Sequence, residues 1–192
     1  MDLKLSWDLF VIVFFAIVAA YSFIIGRQST LKIIIGTYIA ALSADGLGNI
    51  FNLYVGQSTF FDKLVKFIGY AGGAANFSSV LKIIFFIVII VILTIFGDYE
   101  IAEPPHGSGL TGMFALMIIA VLSGGLILST IIVFANGSFI GGNTLISDNF
   151  RAVYDQSKMV RTLLDWHDFW FSMPGVVFAL TSIMQRNQPS DH

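Results

Sequence analysis

The chain has 192 residues, a formal net charge of −2 and a mean hydropathy of +0.84, with 56% of its residues hydrophobic and 11% charged. A water-soluble domain carries about 25% charged residues, so no fold in water buries this much Ile, Phe, Val and Leu, and lipid must solvate part of the surface. The absence of cysteine excludes disulfides, thiolate metal sites and a cysteine nucleophile, and no basic block is long enough to hold nucleic acid.

Residues 9–25 read as a first span closed by Gly26-Arg27, with Trp7 and Tyr21 near its ends, where aromatic rings favour the headgroup level. Lys4 and Ala19-Ala20 give this segment a signal-peptide flavour, but the long apolar run and Asp8 directly before it favour a retained helix. Ala16 and Ala20 offer a small-residue face. The short link 26–30 implies an antiparallel hairpin with a second span, 33–51. Within residues 31–51 a four-residue step aligns Gly36, Ala40, Ala44 and Gly48. Small residues at that spacing let membrane helices approach closely, which predicts this segment as the central helix of the bundle.

The second span also carries Asp45, the only acidic residue well inside a predicted span. Ionisable groups at such depth mark ion or proton paths, or are neutralised by a partner. Lys82, at the start of the third span, falls in the same leaflet, so an Asp45–Lys82 pair locking spans two and three is the specific expectation, with conduction through Asp45 the alternative.

Residues 59–68 (TFFDKLVKFI) place Phe and Leu on one face and Asp62, Lys63 and Lys66 on the other, as an interfacial helix does. A small-residue linker, 70–79, follows, with Ser78 or Ser79 available to cap the next helix. The third span is 80–96. The loop 97–109, with its acidic residues and Pro104-Pro105, is the most water-like stretch. The fourth span, 111–134, contains Ser123-Gly124-Gly125, where a partner helix can pass close. After a Gly-rich turn, 135–142, residues 148–165 read as one amphipathic helix. The last apolar run, 169–184, contains Pro174-Gly175 and is predicted as a re-entrant segment, with a fifth span as the alternative.

The expected fold class is therefore an all-α integral membrane protein, a single domain over 1–192: a four-helix transmembrane bundle with interfacial amphipathic helices and a C-terminal re-entrant or fifth hydrophobic segment. Lys and Arg bias places the N-terminus inside. Asp165-Trp166-His167-Asp168 has ligand-type side chains, but neighbours on a helix diverge, and helical metal sites want spacings of three or four. His106 reads as a loop histidine, and Asn76 and Asn136 head glycosylation patterns of the kind that arise by chance. No nucleophile elbow, P-loop or dinucleotide fingerprint is present, so no enzymatic activity, cofactor or metal is expected. The expected partners are membrane lipids and a second copy or other membrane proteins, met through the stripe Gly36, Ala40, Ala44, Gly48 and through 148–165.

The two-helix N-terminal hairpin, its link with Gly26-Arg27 followed by Leu31, and the later glycine-bearing span at Ser123-Gly124-Gly125 resemble the layout of the colicin V production protein (CvpA) family over roughly residues 9–135. The link here reads GRQST, without that family's usual glycine after arginine or its acidic residue. The resemblance implies a bacterial inner-membrane protein tied to envelope function or peptide-toxin export, and it implies no catalytic residues.

Overall fold

The computed structural model describes residues 6–56, 58, 73–97, 110–137 and 146–186. Their regular structure is helical throughout: α1 (Trp7–Phe51), α2 (Gly73–Phe96), α3 (Leu110–Ala135), α4 (Asp148–Gln156), α5 (Lys158–Asp165) and α6 (His167–Arg186), with a π turn, Asn52–Gly56, closing α1. Among the described residues three stretches are long and apolar enough to cross a membrane: Trp7–Tyr54, Phe77–Phe96 and Gly112–Ala135. The interfacial helix read at 59–68, most of the acidic loop 97–109 and His106 lie outside the described residues.

Helix α1 is too long for one crossing. Its 45 residues amount to about 68 Å at 1.5 Å per residue, against a hydrocarbon core of about 30 Å. Gly26 divides it, with φ 80° and ψ 176°, a backbone region that only glycine enters at low cost. The expected five-residue link thus contracts to one residue: 27–30 are already helical, and the Thr30 hydroxyl donates to the Gly26 carbonyl at 2.8 Å. The chain doubles back here. Phe15 and Val18 lie against Gly124, Ser22 and Ile33 line one cleft with Ser123, and Asp45 lies beside Lys82, whose ammonium sits over Phe134. The limb 7–25 therefore runs antiparallel to α3, and the limb 27–51 parallel to it. Replacing Gly26 with Ala is expected to cost about 1–3 kcal/mol, read as a lower unfolding temperature in detergent.

The central helix is α3, not the second limb of α1. Leu126, Leu128 and Phe134 are fully buried, and α3 packs against α1, α2, α5 and α6. The step Ser123-Gly124-Gly125 makes this possible, because the Phe15 ring rests on Gly124 and the Trp170 ring on Gly125. Two helices share the space that side chains would fill.

Helix α2 begins at Gly73 rather than at 80, so Ser78 and Ser79 lie within it and cap nothing. No proline interrupts 73–79, and the helix extends back through these small residues. The predicted amphipathic helix 148–165 is two helices, broken at Ser157 (φ −119°, ψ 117°). The Ser157 hydroxyl accepts from the Val160 N–H at 3.1 Å and donates to Asp8 Oδ1 at 2.6 Å, and Asp8 Oδ1 also accepts from the Met159 N–H at 3.0 Å. A carboxylate on α1 thus completes the N-cap of α5. Val160, Leu163 and Leu164 are buried against α1 and α3, while Asp148, Arg151, Asp155, Lys158, Arg161 and Asp165 are exposed.

On that exposed side Tyr154 donates to Asp165 Oδ1 at 2.9 Å, and the Arg161 guanidinium lies 5.0 Å from its ring centroid. The hydrogen bond to Asp165 holds the neutral phenol and pushes the Tyr154 pKa above its ordinary value. This contribution is present below the unfolded-state pKa and is lost as pH rises through the folded one. In Asp165→Ala, Tyr154 is expected to titrate lower than in the parent protein, as read by the ring resonances of that tyrosine.

Candidate intramembrane site

The stripe on the second limb is buried. Ala40, Ala41 and Ala44 are 0% exposed and form one cluster with Phe86 of α2 and Phe134 of α3, and Gly36 and Gly48 are buried on the same side. These residues are occupied within the chain, where the second limb of α1, α2 and α3 converge on the alanines.

Beside this cluster lies the charge pair. Lys82 Nζ stands 2.6 Å from Asp45 Oδ1, and the two side chains are 7% and 18% exposed. The Lys82 stem runs across Gly48 so closely that a Cβ there would overlap it. The ammonium lies 5.9 Å from the Phe134 ring centroid, adding a cation–π contact. Each element contributes for a reason. Gly48 gives room for the stem, Asp45 one turn earlier supplies the counter-charge, and α2 begins early enough to bring Lys82 level with both. Ala40 and Ala44, clustered with Phe86, let the limb and α2 approach to the distance the pair needs.

A second polar arrangement escaped the sequence reading. Tyr38 donates its hydroxyl to the Phe171 carbonyl and accepts from the Gly175 N–H at 3.1 Å. Residues 171 and 175 are an i, i+4 pair, the rung opened when Pro174 pushes the helix apart. The hydroxyl of α1 fills that rung, and α6 continues unbroken through Pro174 to Arg186. Pro174-Gly175 therefore does not interrupt the helix, which corrects the break on which the re-entrant expectation rested. Tyr38→Phe strands one carbonyl and one N–H, and is expected to cost about 1–3 kcal/mol. Adding Pro174→Ala closes the rung internally and should return most of that stability in detergent melts.

A third feature is a cavity of about 280 Å³ lined by Ser129, Thr130, Val133, His167, Asp168, Phe171 and Ser172. His167 Nδ1 lies 3.0 Å from the Leu164 carbonyl and Nε2 lies 3.0 Å from Asp168 Oδ1. Both residues lie in the first turn of α6, which follows the turn at Trp166. Among the described residues no group of three or more His, Cys, Asp or Glu is placed to hold a metal. Asn136 is 2% exposed and its Oδ1 accepts from the Ser147 N–H at 2.9 Å, so its side chain serves the turn after α3. No family model, curated protein or solved structure matches the chain.

Proposed function

We propose that this multi-pass membrane protein is a non-enzymatic scaffold of the bacterial inner membrane, serving envelope integrity or peptide export. The observation that carries the scaffold reading is the Asp45–Lys82 pair: the two charges neutralise each other between Gly48 and Phe134 and are largely shut off from the surface. The CvpA-like order of elements is the support for the envelope role. In this reading the two limbs of α1, α2 and α3 are four crossings. The end bearing Lys82, Arg151, Lys158 and Arg161 faces the cytoplasm and the Gly26 end, with Arg27 and Lys32, faces outwards, which agrees with the positive-inside rule.

Ion and proton flux in proteoliposomes, compared between the parent protein and Asp45→Asn, tests this reading. The expected result is no flux in either. Flux abolished by the substitution would replace the scaffold with an oligomeric channel or transporter using Asp45. For the envelope role, cells lacking the chain should become more sensitive to detergents, and the wild-type gene should restore resistance.

A further inference from the structure

We infer that α6 crosses the membrane with an apolar face turned to lipid hydrocarbon, so that its C-terminal end lies on the opposite side from the start of α1; this rests on the bundle reading above. Two registers place α6 along the bundle. Against α3, His167 and Phe171 share a cavity with Thr130 and Val133, Trp170 lies on Gly125, and Phe178 packs on the cluster containing Ile119 and Leu126. Against the second limb of α1, Tyr38 meets Phe171 and Gly175, and Phe178 packs on the cluster of Leu31 and Ile34. As α6 advances, both registers move towards the Gly26 end. The helix is thus antiparallel to α3 and lies alongside it rather than across its end.

Its 20 residues reach about 30 Å at 1.5 Å per residue, the thickness of a hydrocarbon core of about 30 Å. A helix in lipid must satisfy its backbone internally or through neighbours, and the Tyr38 hydroxyl satisfies the Phe171 carbonyl and the Gly175 N–H beside Pro174. The face turned away from the bundle carries exposed Phe169, Met173, Val176 and Leu180, at steps of three and four. It is the same kind of surface that α2 presents with Ile84, Ile87, Val88, Val91 and Ile95. Residues 169–180 contain no charge. In the sequence the polar and charged residues of α6 stand at its two ends, His167-Asp168 and Gln185-Arg186, as in a helix that crosses between headgroup layers.

The cysteine-free chain allows a direct test with single replacements Ser108→Cys, Gln156→Cys and Ser190→Cys, a membrane-impermeant thiol reagent on intact cells, and labelling after detergent solubilisation as each site's reference. The expected result is that 108 and 190 label from outside while 156 is protected. Protection of 190 together with 156, while 108 labels, overturns the crossing and leaves the bundle standing. If 108 and 156 behave alike, the bundle reading itself fails and the crossing falls with it.

Discussion

Asp45→Ala is expected to destabilise the protein by about 3–5 kcal/mol, the typical cost of leaving one member of a buried ion pair without its counter-charge. The Lys82 side chain is 7% exposed, and its stem is held between Gly48 and Phe134, so it has little freedom to carry the ammonium to the headgroups. Lys82→Met alone strands the carboxylate, and the loss is expected to be smaller because Asp45 is the more exposed partner. The double variant Asp45→Leu Lys82→Met should recover most of the stability, since an apolar pair of similar volume avoids the desolvation that both charges impose. Unfolding in detergent, followed by helical signal against temperature, reads all three. A double variant as unstable as Asp45→Ala would mean that the pair contributes more than mutual neutralisation.

The second large effect is expected from Gly125→Val. A Cβ at this position falls within the Trp170 ring, whose centroid lies 6.1 Å from that of the Phe15 ring. To relieve the overlap the indole must move and α6 must shift against α3. Overpacking of this kind costs about 1–3 kcal/mol, and here it also loosens the Tyr38 bridge. The expected signature is a lowered unfolding temperature together with a changed Trp emission maximum. Gly46→Val is the control: a Cβ at Gly46 meets nothing within 4 Å, so stability should be nearly unchanged.

These two sites differ in how far the sequence announces them. The Asp45–Lys82 contact follows from local arithmetic, because Asp45 lies near the end of one apolar segment and Lys82 near the start of the next, and a charge in hydrocarbon has few acceptable partners. The reversal at Gly26 is equally local. The hub was harder to find. In lipid a core-facing Leu and a lipid-facing Leu look alike, so periodicity does not separate the inside of a bundle from its outside. The small-residue stripe at Gly36, Ala40, Ala44 and Gly48 marks real close packing, but it marks one side of one limb, whereas Gly124-Gly125 opens two sides of α3.

What stayed hidden depends on distant partners. The break at Ser157 is fixed by Asp8, 149 residues away, and the continuity of α6 by Tyr38, 133 residues from the carbonyl it meets. Read locally, 148–165 is one charged helix and Pro174-Gly175 is a stop. That His167 and Asp168 line one cavity with Ser129, Thr130 and Val133 depends on how α6 docks against α3, which nothing in the local letters reveals.

The Tyr38 bridge also sets an order of assembly. Synthesis is vectorial, and the N-terminal part of the chain emerges first. When Pro174 leaves the ribosome, its open rung has no remedy within its own segment, and the hydroxyl that closes it belongs to a limb made long before. Helix α6 can therefore dock at low cost only once α1 has turned at Gly26 and presented Tyr38. The last helix is conditional on the first, and a chain whose N-terminal hairpin has failed to form exposes that failure at its other end.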